Sequence, residues 1–498
     1  MKPLRLLLRG AFTLIFGPPL LMVLLAAFSA RALKAFFDEL YLRALLNSLL
    51  IASGTTFFSI LFAFPLAILL SRTPFPKRRI LALLLIVPLL FLPYQTALSW
   101  SFILPEGMGK YFFSLPGVIF IHTLSFFPLV FGPLYLSFLS VPPEAEESAL
   151  LCRVPQEVFF RITLRYALPY LWAGAGLCFF FSFSEIGVPT YLGVPVVVGE
   201  ILTRFAAFYD FKGALAASFP LALLGLCFFG LERPFLARFE FPARFEDQKR
   251  LLTFKNPFLL VSGGLLLFSL LLGAVFFPLF LLAIKAGKSL FSVFGQAFFP
   301  ALRSIFYAAG SAILASLLVF LALPSLTDRE KRFWESLSLL CFFLPPVVTA
   351  VGLIYFWGRF PWVYGSVLLL LLGLTARFAF LPKRLLGEAW RRFNKEALLA
   401  AYLSPRGLFS IFWRILFPPL KPWFALAVAF FFIFAGNELV LATLLYPPGG
   451  APLAVTIYTL SVNNPLSVSA GLCLWHTLTV FTVVAFIFLI FRPHKGAL

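Results

Sequence analysis

Apolar residues in this chain run on for about 20 positions at a time before short polar stretches interrupt them, the length an α-helix needs to cross the hydrocarbon of a bilayer. Twelve such stretches are read, at 11–30, 46–70, 80–104, 118–141, 168–190, 213–232, 257–284, 301–324, 336–358, 364–382, 421–445 and 467–491. They predict an all-α polytopic membrane protein of about 12 transmembrane helices. The first stretch follows Lys2, Arg5 and Arg9 but shows no small-residue cleavage site, so it reads as a retained anchor.

Landmarks recur along the chain at a fixed interval. Pro93 and Pro346, Arg161 and Arg414, Pro169 and Pro422, and Glu185 and Glu438 are each 253 residues apart; Ser48 and Gly54 recur as Ser304 and Gly310 at 256. The expectation is two duplicated six-helix halves, 1–232 and 257–498, joined by a polar cytoplasmic linker at 233–256.

Composition supports a chain solvated by lipid: 61% of its 498 residues are apolar and 12% are charged. Soluble proteins run at about 45–50% and roughly 25%, so a water-soluble globule is excluded. The net charge of +20 suggests a polyanion partner only until the bases are located. With the N-terminus in the cytoplasm, 29 of the 40 Lys and Arg fall on the cytoplasmic side, 10 outside, and Arg377 within a span. That bias fixes both termini inside and removes the need for nucleic acid. Five scattered cysteines and three histidines form no metal-ligand spacing, so neither a metal site nor a disulfide framework is expected.

The cytoplasmic loop after the fourth stretch of each half is long and amphipathic. The first reads PPEAEESALLCRVPQEVFFRITLRYALPYL from Pro142 to Leu171, and the second KEALLAAYLSPRGLFSIFWRILFPPLKPWF from Lys395 to Phe424. Each reads as two short helices around a turn, ending at a proline that opens the next span. Such a unit suits docking into a groove of a soluble subunit; an interfacial helix lying on lipid is the alternative.

These loops resemble the EAA loop of the permeases of binding-protein-dependent ABC importers. The second keeps Ala400, Ala401, Ile415, Pro418, Leu420 and Pro422, with Leu399 in place of the glutamate and Pro405 in place of the glycine. The first has Glu146 at the glutamate, while Glu147, Ser148 and Cys152 replace the two alanines and the glycine, and Arg165 the first proline. The resemblance implies a type I importer permease with docking loops at 142–167 and 385–420. Glu146, Ser148, Arg153, Arg161, Ala400, Ala401, Arg406 and Arg414 are the candidate docking residues.

The segment FAGNELVLATLLYPPGGAPLAVTIYTL, Phe434 to Leu460, is similar to fused two-domain permeases of the ferric-iron type, as is FSEIGVPTYLGVPVVVGEILTRF at 183–205. The implied solute is ferric iron, with thiamine, phosphonate or another small solute as the alternative on the same scaffold. Glu185 and Glu438 favour a cation independently, because acids near hydrocarbon face water or a partner, and two of them would form a negative mouth on a translocation path. The competing reading makes them caps for backbone amides at helix breaks.

No G-x-x-x-x-G-K-[ST] loop is present, and Gly287-Lys288-Ser289 lacks the upstream glycine. The chain is therefore expected to be no enzyme and to hold no cofactor. ATP and Mg would be bound by two partner ABC ATPase subunits, with a soluble substrate-binding protein outside and the whole in a bacterial-type cytoplasmic membrane. An ion-coupled secondary transporter would need more ionisable residues within its spans than Glu185, Glu438, Arg377, His122 and His476 supply.

Overall fold

A computed structural model of the chain describes residues 2–27, 38–104, 107–238, 253–254, 256–393, 396, 412–461 and 463–491. Among the described residues every regular element is helical. From the N-terminus, α1 (Lys2–Ala27) is followed by α2 (Glu39–Arg72), α3 (Arg78–Leu84), α4 (Pro93–Ser101) and α5 (Leu115–Ser140). Next come α6 (Pro143–Leu150), α7 (Pro155–Ser184), α8 (Gly187–Tyr191), α9 (Val197–Ala206) and α10 (Phe211–Arg238). Then α11 (Pro257–Ala286), α12 (Phe294–Ser325), α13 (Asp328–Phe343), α14 (Pro346–Trp357) and α15 (Val367–Phe378) lead into α16 (Phe380–Arg392). The last elements are α17 (Trp413–Gly436), α18 (Val440–Leu445), α19 (Leu453–Ser461) and α20 (Leu466–Ile490).

Eight of these helices, α1, α2, α5, α7, α11, α12, α17 and α20, are long and apolar enough to cross a membrane, and the chain is a multi-pass membrane protein. Of the roughly twelve expected spans, two are bent and two are short among the described residues. The third expected span bends by 90° between Leu90 and Pro93, and the ninth by 111° between Phe343 and Pro346. Counting each bent pair as one span gives ten; the stretches at 216–231 and 367–378 are apolar helices of shorter length. The bends have a local cause. Pro93 and Pro346 each stand at the first position of the helix after the break, where proline has no amide to lose, and each forces the preceding residue into an extended conformation.

By compactness the chain divides into two units. Unit 1 comprises Met1–Phe28, Phe294–Thr459 and Trp475–Leu498; unit 2 comprises Ser29–Val293 and Leu460–Leu474. This division does not follow the sequence halves: the first helix goes with the later residues, and α11 goes with the earlier ones.

In unit 2, α2, α5 and α7 form the centre, held close by small residues. A Cβ on Gly174 would stand 2.8 Å from the carbonyl oxygen of Leu129 and 3.0 Å from the Cα of Val130, so α7 and α5 touch backbone to backbone. Without a hydrophobic drive between helices in lipid, such close dispersion contact is what associates them. The Ser48 hydroxyl on α2 accepts from the Val197 amide that opens α9, at 3.0 Å. Trp100 in the last turn of α4 donates its indole N–H to the carbonyl of Gly273 on α11, at 3.2 Å.

In unit 1, α12 packs with α16 and α17, and α1 lies along α14. A Cβ on Gly352 would meet the Cα of Pro19 at 2.8 Å. Ser304 repeats the role of Ser48: its hydroxyl accepts from the Leu453 amide that opens α19, at 2.7 Å, across the same 149 residues. At the start of α13, Thr327 and Glu330 form a capping box, and Glu330 also receives the guanidinium groups of Arg5 and Arg9 from α1. Arg5, with Thr327 and then Arg9, holds the Glu330 carboxyl well below the usual carboxylate range.

The close crossings give a test. Gly174→Ala and Gly352→Ala should each destabilise the purified protein by about 1–3 kcal/mol through overpacking, read as a melting temperature several degrees lower in detergent. Gly132→Ala, where nothing lies within 4 Å of the added methyl, should not lower it. Equal losses at all three positions would refute the close-approach account.

Candidate docking loop and buried polar breaks

The first docking loop is built on proline-started helices. Pro143 opens α6 and Pro155 opens α7, with Val154 extended between them. Soon after its start, α7 carries a single wide turn of π-helix at Phe159–Thr163. The second loop shows the same wide turn at Phe412–Leu416, 253 residues on.

Beneath the first loop lies an ion pair that sequence reasoning missed. Arg72, in the last turn of α2, donates from Nη1 to Glu146 Oε2 at 2.7 Å and from Nη2 to the carbonyl of Phe138 on α5 at 3.0 Å. Glu146 Oε1 accepts the Thr163 hydroxyl from the wide turn of α7 at 2.7 Å. Arg72 and Glu146 are 1% and 3% exposed. Four helices thus meet in one charge-assisted network, and a force on the loop reaches α2, α5 and α7 together. The Phe254 amide donates to the Arg72 carbonyl at 2.8 Å, which ties the end of the linker to the same point.

The expected docking residues separate on this geometry. Glu146 is buried and holds the loop from below. Ser148, Arg153 and Arg161 are exposed, as are Leu151, Val154 and Phe160. Arg153 pairs with Glu157 one turn away at 3.1 Å, a surface contact worth little. In the second loop Arg414 is exposed beside Trp413, whereas Ala400, Ala401 and Arg406 lie outside the described residues. The signal for Arg72 was a basic residue ending a long apolar run at the same membrane side as Glu146.

Glu185 and Glu438 follow α7 and α17, where each helix breaks before a short one. Glu185 accepts the amides of Gly187 and Val188 at 2.7 and 3.0 Å. Its Oε2 also faces His122 Nε2 at 3.0 Å, and His122 Nδ1 meets the Ser182 hydroxyl at 2.8 Å. Glu438 accepts Arg377 Nε at 2.9 Å and the Leu441 amide at 3.3 Å. Arg377 Nη1 reaches the carbonyl of Leu344 at the bend between α13 and α14, at 3.2 Å, and its guanidinium lies between the rings of Phe342 and Phe378.

The capping reading therefore describes both acids. Glu185 also meets the His122 imidazole and Glu438 the Arg377 guanidinium, so neither stands as a carboxylate without side-chain partners, and the geometry adds nothing of its own for a cation. Burial supplies the physical reason: a carboxylate beside hydrocarbon needs hydrogen-bond donors or a counter-ion, and Glu185 takes two amides and faces an imidazole while Glu438 takes an amide and a guanidinium.

No protein-family model matches the chain. Over 170 residues it is 26% identical to the putative 2-aminoethylphosphonate transport system permease protein PhnU of Salmonella choleraesuis, a match covering 31% of this chain and 59% of that protein. Over 185 residues it is 26% identical to the molybdate/tungstate transport system permease protein WtpB of Pyrococcus abyssi, covering 36% of this chain and 72% of that one. Over 237 residues it is 28% identical to a probable molybdenum ABC transporter permease protein of Haloferax volcanii, covering 45% of this chain and 84% of that one. The chain spans about three fifths of the length of the PhnU relatives it matches. These three relatives do not carry the ferric-iron expectation; the chain is similar to transport-system permeases, the named solutes of which are a phosphonate and metal oxyanions.

Proposed function

We propose that this chain is the membrane-spanning subunit of an ATP-driven ABC importer in a bacterial-type cytoplasmic membrane, with both permease halves in one polypeptide. Its solute is a small oxyanion of the phosphonate or molybdate and tungstate class. The observation that carries the permease reading is the exposed loop helix pair held rigidly at the ends of α2, α5 and α7 by Arg72, Glu146, Thr163 and Phe138. The relatives support the oxyanion, and the engagement of Glu185 by His122 and of Glu438 by Arg377 removes the objection that a negative mouth would repel it.

Two ATPase subunits bind the exposed faces of the two loops, and a soluble binding protein delivers solute outside. Both termini lie in the cytoplasm. ATP binding closes the ATPase pair, the loops follow as rigid knobs, and the helices tied to them tilt, because the partners bind the two permease states unequally.

Three measurements follow. Proteoliposomes supplied with the cognate ATPase and binding protein should show ATP-dependent uptake of labelled tungstate, molybdate or 2-aminoethylphosphonate; uptake of ferric iron with none of these would overturn the oxyanion reading. Charge reversal at both exposed loop arginines, Arg161→Glu with Arg414→Glu, should cut solute-stimulated ATPase activity about tenfold or more while membrane abundance stays at the parental level. Parental stimulation would remove the docking role. Glu438→Gln leaves the buried Arg377 without its counter-ion and should cost about 3 kcal/mol or more of stability, whereas the apolar pair Arg377→Met, Glu438→Leu should recover most of it. A stable Glu438→Gln protein with lost uptake would instead restore the acid to a translocation role.

A further inference from the structure

Among the described residues of unit 1, charge gathers where α13 and α16 pack together, partly within the start of the second candidate docking segment. Lys331 on α13 and Lys383, Arg384 and Arg391 on α16 stand near one another, and Glu335 is the acid that acts most on Lys383. Glu335 is already bonded by Arg384 at 3.3 Å, and the Lys331 ammonium donates to Asp328 one turn back on α13, also at 3.3 Å. Glu388, which also faces Arg384, is held by Arg391 and Arg392 at 2.7 and 2.9 Å. Lys383 is partly buried, and burial pushes its ammonium below the usual lysine range, with Lys331, Arg391 and Arg384 adding to the effect against Glu335. Packing does not require these charges: 253 residues earlier Val130 and Phe131 occupy the places of Lys383 and Arg384, both fully buried.

Tryptophans fix the depth of the cluster. The Lys331 ammonium stands 5.9 Å from the ring of Trp390, and the Arg392 guanidinium 5.5 Å from that of Trp423. Trp334 lies one turn along α13 from Lys331, its ring 5.1 Å from Phe12. Tryptophan collects at the headgroup level of a bilayer, and basic pockets between helices at that level take anionic headgroups. Phe333, 55% exposed on the same helix, offers an apolar surface to an acyl chain.

We propose that Lys331, Lys383, Arg384 and Arg391 form a binding site for the phosphate of an anionic phospholipid headgroup between α13 and α16. Lys331, Lys383, Arg384, Arg391 and Arg392 outnumber Asp328, Glu335 and Glu388, and the bound phosphate sets its negative charge against that excess and holds the two helices together at their polar ends. The site is independent of the transported solute.

The full chain, delipidated in detergent, is titrated with dioleoyl phosphatidylglycerol or dioleoyl phosphatidylcholine and followed by native mass spectrometry and thermal unfolding. Phosphatidylglycerol should bind and stabilise more strongly than phosphatidylcholine. Lys383→Gln should weaken its binding about fivefold, while Arg79→Gln, an exposed base on α3, should leave it unchanged. Should Lys383→Gln fail to fold, Arg391→Gln at the exposed rim serves in its place with the same expectation. Equal binding of the two lipids, or equal weakening by Arg79→Gln, would overturn the site. Millimolar inorganic phosphate reproducing the stabilisation would assign the cluster to a soluble oxyanion and overturn the lipid.

Discussion

Inside a bilayer no water is present to receive a backbone amide or carbonyl that a helix leaves unbonded, so every break must be closed by the protein itself. This chain breaks its helices repeatedly, and the polar residues within its apolar stretches are largely explained by those breaks. Glu185 closes the start of α8, and Glu438 bonds the Leu441 amide beyond the end of α17. Arg377 reaches the carbonyl exposed at the bend before α14, and Ser48 and Ser304 close the starts of α9 and α19. The charges that this closure introduces then need partners of their own, which is why His122 and Arg377 are buried where they are. Stability and architecture are linked at these points, because at each of them a fixed side chain bonds a backbone group that the helix leaves open.

Much of this arrangement was legible in the residues. The apolar runs locate the helices, and the 253-residue interval falls on features that are structurally alike: two prolines at two sharp bends, two acids after two breaks, two wide turns in the docking segments. What the sequence could not supply was the partner of each charge. Glu146 matched a motif position and so read as a contact residue, but its burial against Arg72, 74 residues away, makes it a brace. Nothing local announces a pairing of that range. The acids show the same limit, because a carboxylate read from sequence gives no sign of the His122 imidazole or the Arg377 guanidinium beside it. Hydropathy also treats a proline-broken run as one span, since composition is blind to the direction of the chain after the bend.

The two ends of the first loop's anchoring network differ in what they can tolerate. On the outer side Ser148, Arg153 and Arg161 meet solvent and can change at small cost to folding. On the inner side Arg72 has several bonds within a buried setting, and loss of any partner strands a full charge. On the proposed docking role, coupling would rest on buried residues such as Arg72, and selectivity for the partner on residues the fold barely uses.

The ion pairs of α1 with Glu330 carry a consequence for biosynthesis. Arg5 and Glu330 are separated by 325 residues, so at about 5–20 residues per second the ribosome needs roughly 15–65 s to deliver the counter-ion after the first helix has emerged. During that interval α1 must sit in the bilayer without the helices it finally packs on. Its length and apolar content suit insertion, and in the proposed orientation, with the N-terminus in the cytoplasm, its arginines hold it there by remaining at the membrane surface. The same two side chains thus act first as a topology signal and later as a clasp, and the order of those roles is imposed by the direction of translation.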